Sequence, residues 1–316
     1  MGRRGSMRTA ESAVSGYSGW RAFAAVFGIV ALLLGHSRLA HAEQHATGNS
    51  SWIVDADVAQ RLIENGAVVL DTRDVTQRWW TPLIGSVQAR WEELSDENAT
   101  TKGLLLSNDA VLSGRITKWG VSDTVPVLVA GDPLKGWGED GRVAWALRAL
   151  GHSQVYVVNG GAPSLAASKI KISPARASKP FLVRRNPALV ISKDELRKAV
   201  SEQQVVVLDT REPREFEGET PYGEARGGHI PGAKNLYFRD LVSQTGKVLP
   251  REQVLKKLST LGVSRDTKVV TYCTGGVRSG FVTAVLRDAG IDARNYAGSM
   301  WEWSSGRPDE YPLQRP

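Results

Sequence analysis

Val68-Val69-Leu70-Asp71-Thr72-Arg73 recurs letter for letter as Val206-Val207-Leu208-Asp209-Thr210-Arg211. Six identical residues in a chain of 316 divide the sequence into two related halves. Each copy is a short β-branched, apolar run closed by a charged pair, the pattern of a strand buried on both faces. The flanks repeat in kind. Asp55–Asn65 and Ser192–Gln204 carry helical periodicity just ahead of the two copies, and Ser192 with Glu195 forms a capping box. Gly120-Val121-Ser122 leads into an apolar strand at Val127–Ala130, and Gly262-Val263-Ser264 leads into one at Val269–Tyr272. Helices are expected at Val143–Leu150 and Gly280–Ala289, closed by Gly151 and Gly290, with short strands following at Val155–Gly161 and Asn295–Gly298. Strands alternating with helices imply parallel sheets flanked by helices. The expectation is an α/β protein of two tandem domains, residues 43–165 and 189–316. A linker at 166–188, rich in Lys, Arg, Ser and Pro, is expected to lie over the surface.

Composition sets the outer bounds. With 41% hydrophobic and 23% charged residues the chain can bury a core, which excludes disorder, collagen and small disulfide scaffolds. A net charge of +7 invites a nucleic-acid reading, but the charge is unevenly placed. Residues 1–42 hold Arg3, Arg4, Arg8, Arg21 and Arg38 against Glu11, which leaves +3 for everything after them. That ordinary remainder removes the case for nucleic acid. The same segment runs from basic residues into the apolar stretch Ala22–Leu34 and ends on Ala40-His41-Ala42, the pattern of a secretory signal peptide cut after Ala42. The apolar run is shorter than the roughly 20 residues a bilayer span needs. The mature chain is therefore expected to be exported, periplasmic or secreted, with no membrane anchor after cleavage. Its histidines, His45, His152 and His229, lack ligand spacing, so no metal is expected, and no cofactor is called for.

Chemistry concentrates in the second half. The chain has one cysteine, Cys273, within Tyr272-Cys273-Thr274-Gly275-Gly276-Val277-Arg278-Ser279-Gly280. In the first half Gly131 takes the equivalent place, in the longer stretch Ala130-Gly131-Asp132-Pro133-Leu134-Lys135-Gly136. A cysteine between an apolar strand and a helix start has its sulfur in a strand-to-helix loop. Gly275 and Gly276 let the backbone curl with its N–H groups inward, and a ring of such donors at a helix N-terminus stabilises an anion. Arg278 adds a cation. Both effects lower the thiol's pKa, and the same cradle suits an anionic persulfide. A phosphate-binding loop is excluded, because the Gly-Lys-Ser/Thr of a Walker motif is absent.

These stretches resemble the rhodanese family, and the whole mature chain resembles a tandem-domain thiosulfate/3-mercaptopyruvate sulfurtransferase. The resemblance is carried by Leu208–Arg211 with Glu215-Phe216-Glu217-Gly218, by Gly228-His229-Ile230-Pro231-Gly232-Ala233 with Asn235, by the Cys273–Arg278 loop, and by Tyr296-Ala297-Gly298-Ser299-Met300-Trp301-Glu302-Trp303. The first half keeps Asp71, Arg73 and Asn159-Gly160-Gly161, while Pro82–Val87 only echoes the His-Ile-Pro-Gly stretch. That fits an inactive first domain shaping the cleft of a catalytic second one.

The resemblance implies transfer of sulfane sulfur from a small anionic donor such as thiosulfate to a thiophilic acceptor, cyanide or a thiol, through a persulfide on Cys273. Thr274, Gly275, Gly276, Val277, Arg278 and Ser279 would hold the donor and the anionic sulfur, with Arg211 a further contact for the donor. Asp209 and Arg211 read equally as a structural ion pair, since Asp71 and Arg73 repeat them. His229 is weighed as a general base against a part in ordering its backbone motif. Trp301 and Trp303 either line the cleft or anchor the C-terminal segment. The six-residue loop from Cys273 to Arg278 suits sulfur, whereas the related phosphatases carry one residue more. Among donors, an arginine found in many tandem enzymes falls on Glu215, which favours thiosulfate over 3-mercaptopyruvate. A sulfur carrier that serves one dedicated protein, without turnover, is the alternative outside enzymology.

Overall fold

Both copies of the repeated hexapeptide become inner strands of parallel sheets in a computed structural model of the protein, which describes residues 51–315. The expected export signal at 1–42 lies outside the described residues. In the first half, strands β1 (Ile53–Val54), β2 (Val68–Asp71), β3 (Val87–Gln88), β4 (Val127–Ala130) and β5 (Val155–Val158) alternate with helices. These are α1 (Ala56–Glu64), α2 (Val75–Trp80), α3 (Asp109–Lys118), α4 (Glu139–Ala149) and α5 (Gly161–Ala167). The second half has β6 (Val206–Asp209), β7 (Lys234–Asn235), β8 (Val269–Tyr272) and β9 (Ala293–Asn295). Its helices are α6 (Lys193–Ser201), α7 (Pro213–Glu217), α8 (Arg251–Thr260), α9 (Val277–Asp288) and α10 (Ser299–Ser305).

The first sheet runs β1-β5-β4-β2-β3 and the second β7-β6-β8-β9, with every pairing parallel. Val190 bridges Asn295 outside β9, where β1 lies in the first sheet, so the two orders match. Register matches too. Asp71 pairs with Ala130 and Asp209 with Tyr272, which makes Gly131 and Cys273 structural equivalents. Apolar clusters cover both faces of each sheet, as near-continuous runs of Val and Leu require.

The helices that follow β4 and β8 start earlier than their apolar periodicity suggests, at Glu139 and Val277. Their first turns carry Asp140, Arg142, Arg278 and Ser279, all buried, so polarity there marks a site rather than a solvent face. β9 ends at Asn295, where a strand was expected to begin. Ala293 and Asn295 are buried with the half-exposed Arg294 between them, an alternation that hides a short edge strand in a polar run. The stretch 166–188 opens with the end of α5 and then has no regular structure as far as Asn186. It is pinned rather than loosely laid. Phe181 is buried in the first core with its N–H donated to Thr117 Oγ1, and Ile172 packs beneath Gly85. Burying such a phenyl ring contributes about 1.5–3 kcal/mol.

The halves meet where α4 crosses α9, and two glycines allow it. A Cβ on Gly141 would lie 2.4 Å from Phe281 Cα, and one on Gly280 would lie 3.0 Å from Arg142 Cα. The crossing sets the first turn of α4 against the loop that begins α9. No described helix is long and apolar enough to cross a membrane.

Candidate active site at the Cys273 loop

Cys273 follows the last residue of β8, and Gly276 caps α9 three residues later in the left-handed conformation, φ 79°. That backbone turn is cheap only for glycine. It aims the Gly276 N–H at the sulfur, 3.1 Å away, while Ser279 Oγ donates from the next turn at 3.6 Å. The Cys273 N–H is held by Ser299 Oγ at 3.1 Å, and Ser299 itself sits at φ 53° and donates to Tyr296 O. A serine kept in that region at a strand-to-helix junction is local strain maintained by its two hydrogen bonds. Burial alone would raise the thiol's pKa. The charge of Arg278, with donors from Ser279 and the Gly275 backbone, more than offsets it and leaves Cys273 below the ordinary thiol value.

Arg278 is itself fixed. Its two terminal nitrogens grip Glu215 of α7 at 2.5 and 2.8 Å, and one also donates to Thr274 Oγ1 at 2.6 Å. Thr274 Oγ1 lies 2.9 Å from Glu215 and 3.2 Å from Glu224, so the threonine hydroxyl serves this carboxylate cluster and not the sulfur. Burial pushes Glu215 up, but the bidentate arginine, Thr274 and the Glu212 N–H bring it below the usual carboxylate range. Glu215, by contrast, raises Arg278 above its ordinary value against the effect of burial.

Over the sulfur opens a pocket of about 220 Å³ lined by Cys273, Thr274, Gly275, Val277 and Arg278. Its walls are aromatic: Trp91 and Trp137 come from the first half, Tyr222 and Trp301 from the second, with Glu139 at the start of α4. Trp301 packs directly on Gly275, where a Cβ would fall 1.9 Å from its ring, and its Nε1 donates to Tyr222 O. Lys102 Nζ stands 3.7 Å over the same ring. Burial raises the pKa of Glu139.

The expected site residues separate into two groups. Thr274, Gly275, Val277, Arg278 and Trp301 line the pocket, and Gly276 and Ser279 reach the sulfur. Arg211 does not, which corrects the expectation that it contacts the donor. It is fully buried, clamped by Asp209 with contacts between 2.5 and 3.0 Å, and donates to Gly228 O. Asp209 also accepts from Tyr272 Oη at 2.6 Å, so the pair ties strand ends together behind the loop. His229 is likewise away from the pocket. Its ring stacks on Phe216 at 3.6 Å and bonds Phe216 O and Gln314, which leaves no room for a general base. The two tryptophans divide: Trp301 is a pocket wall, while Trp303 is buried and donates to Pro312 O, anchoring the C-terminal segment.

Sequence reasoning missed Trp91, Trp137, Glu139, Tyr222, Glu224 and Ser299 as parts of the site, and took Glu215 only for a lost arginine. The resemblance implied that the first half shapes the cleft, and Trp91, Trp137 and Glu139 do line it, but nothing in the first half's own sequence singled those residues out. Ser299 lay in plain view inside the Tyr296–Trp303 motif. Among the described residues no group of His, Cys, Asp or Glu is placed to hold a metal ion.

Residues 192–306 match the rhodanese-like domain family. SseB of Mycobacterium tuberculosis is 31% identical over 226 residues, covering 68% of this chain and 76% of its own length. A thiosulfate sulfurtransferase of Azotobacter vinelandii is 30% identical over 179 residues, covering 55% of this chain and 65% of the relative. In three dimensions the chain superimposes on SseA from Escherichia coli, a 3-mercaptopyruvate sulfotransferase of rhodanese fold. The TM-score is 0.65 at 22% identity, covering 79% of this chain and 98% of SseA.

Proposed function

The chain belongs to the rhodanese family of sulfurtransferases, and from that premise we propose that it moves sulfane sulfur from thiosulfate to a thiophilic acceptor through a persulfide on Cys273. The observation that carries the reading is the Cys273 sulfur itself, at the base of an aromatic pocket, met by a backbone N–H and by Ser279 Oγ and lowered in pKa by Arg278. The Cys273 thiolate attacks the outer sulfur of thiosulfate. The S–S bond breaks with its electron pair leaving on sulfite, and the cysteine carries a persulfide anion. The acceptor, cyanide or a thiolate, then attacks that outer sulfur and the electron pair of the broken bond returns to Cys273. No outside oxidant or reductant is needed. Splitting one transfer into two displacements is nucleophilic catalysis, and the same donors stabilise the anionic sulfur in both halves.

Thiosulfate is favoured as donor over a mercapto acid by the Glu215–Arg278 clamp. Glu215 stands where many tandem enzymes carry an arginine, so that position offers a mercapto acid's carboxylate no cation and instead pairs with Arg278. Export follows as part of the same proposal, supported by the basic, apolar and small-residue order of residues 1–42.

Cys273→Ser should abolish thiocyanate formation from thiosulfate and cyanide, a loss of at least about a thousandfold. Thiosulfate should raise the intact mass of the wild-type protein by one sulfur and leave the variant unchanged. Turnover surviving the substitution would overturn the mechanism. Faster turnover with 3-mercaptopyruvate than with thiosulfate would overturn the donor assignment alone.

A further inference from the structure

Arg142, in the first turn of α4, is fully buried and crosses from the first half toward the active loop. Its terminal nitrogens donate to Gly103 O at 2.6 Å, Ser95 Oγ at 3.2 Å and Gly276 O at 3.4 Å, and its Nε is buried with no partner. Trp145 and Trp91 flank the guanidinium at 4.7 and 5.8 Å. All of its partners are neutral. Of the other buried arginines, Arg73, Arg211 and Arg278 are each clamped by a carboxylate, Asp71, Asp209 and Glu215, while Arg148 donates to the carbonyls of Val155 and Ser51 with the charge of Asp288 acting on it. No carboxylate pairs with Arg142 among the described residues. A buried cation without a counterion is strongly disfavoured, and arginine does not escape by losing its proton near neutrality.

The geometry supplies a counterion. Gly276, whose carbonyl Arg142 holds, is the residue whose N–H points at the Cys273 sulfur. We propose that Arg142 is a positioning residue for sulfur transfer, a cation lent by the first half that lies under the active loop and balances the charge of the sulfur anion on Cys273. This rests on Cys273 being the sulfur carrier. It gives the half without a nucleophile an electrostatic part in the reaction, beyond supplying pocket walls. It also explains why α4 and α9 cross at glycines, since the close approach at Gly280 brings the guanidinium beneath the loop. Burial lowers Arg142 to about 10, and the negative sulfur of Cys273 opposes that fall.

The other titratable and charged groups around the pocket are Arg278 of α9, Glu215 of α7, Glu139 of α4, Glu224, Tyr222 and Lys102 over the Trp301 ring. The test therefore isolates the thiol by its own chemistry. Because Cys273 is the chain's one cysteine, the rate of its alkylation by iodoacetamide against pH reports the thiolate directly, without donor or turnover. Arg142→Gln should move the midpoint up by about one unit or more, which slows alkylation at pH 7 roughly tenfold. Arg142→Lys keeps the charge but loses the forked hydrogen bonds, and its profile should stay close to wild type. Near-ultraviolet circular dichroism of the buried tryptophans checks that each variant is folded. A folded Gln variant with the wild-type midpoint overturns the proposal. So does a Lys variant shifted as far as Gln, which would make Arg142 a structural tie; if Gln does not fold, Arg142→Met, which also removes the charge, takes its place and its midpoint should rise as far. Thiosulfate failing as donor while the Gln shift stands would refute the assigned reaction and leave the role of Arg142 intact.

Discussion

The two strand-to-helix loops of this protein occupy the same place in matching sheets and hold different groups. In the second half the loop is short: Cys273 leaves β8, Gly276 caps α9, and the sulfur rests against the helix start. In the first half eight residues separate the end of β4 from α4, whose cap Gly138 has φ 84°, much as Gly276 has 79°. Counting from those caps, Asp140 stands where Arg278 stands and Arg142 where Gly280 stands. Asp140 turns its carboxyl onto the N–H of Gly141 at 2.8 Å and toward Gly131, where a Cβ would meet Asp140 Cγ at 2.9 Å. The fold thus offers an anion cradle twice. One is filled by the Cys273 sulfur, the other by the Asp140 carboxyl group.

The difference is broken most severely by trying to move the reaction. A chain carrying both Cys273→Ser and Gly131→Cys should form no thiocyanate and gain no sulfur mass, because Asp140 and Thr72 Oγ1 stand about where the new side chain must go. A mass gain of one sulfur in that double variant would show that the cradle alone suffices. A smaller effect concerns the clamp. Gln77 lies six residues after Asp71, as Glu215 lies six after Asp209, and it donates to Asp132. Glu215→Gln therefore makes the second half resemble the first at this position and leaves Arg278 buried without its carboxylate. Urea unfolding should show a loss of about 3 kcal/mol. An unchanged midpoint would mean that Arg278 finds another partner and that the clamp does not hold the loop.

How much of this was legible in the sequence follows from where the signal comes from. The repeated hexapeptide, the matching Gly-Val-Ser stretches and the Cys-Gly-Gly-Arg order placed both sheets and the Cys273 loop, because buried parallel strands and glycine-capped loops are written in local residue types. β3, β7 and β1 were not seen: each is two residues long, and so short a strand has no periodicity. Glu215 was read through the arginine it replaces, since a short helix gives no hint of a carboxylate turned inward. Trp91, Trp137 and Arg142 act across the interface between halves, and no pattern within one half encodes a contact made with the other. Arg211 was left between donor contact and structural ion pair for a related reason. A charged residue at the sheet's C-terminal edge is as readily a strap as a ligand, and only its full burial against Asp209 distinguishes them.

The smallest expected effect tests whether the first cradle is filled by a charged or a neutral group. Burial, the dominant influence, raises Asp140 to about 7 against the N–H donors of Gly141 and Gly131 that favour its ionised form. A carboxyl whose pKa is higher folded than unfolded binds more protons in the native state, so its contribution to stability falls as pH rises from about 4 through 7. Asp140→Asn removes that dependence, while any cost of seating the amide is the same at every pH. The gap between variant and wild type in urea unfolding should therefore shift in favour of the variant between pH 5 and pH 8. The change should be on the order of 2 kcal/mol, given roughly 1.4 kcal/mol per unit. A gap that stays constant would mean that Asp140 is ionised throughout, its charge held by the helix start as firmly as the second cradle holds the sulfur. The two loops would then differ in the atom they hold and not in its charge.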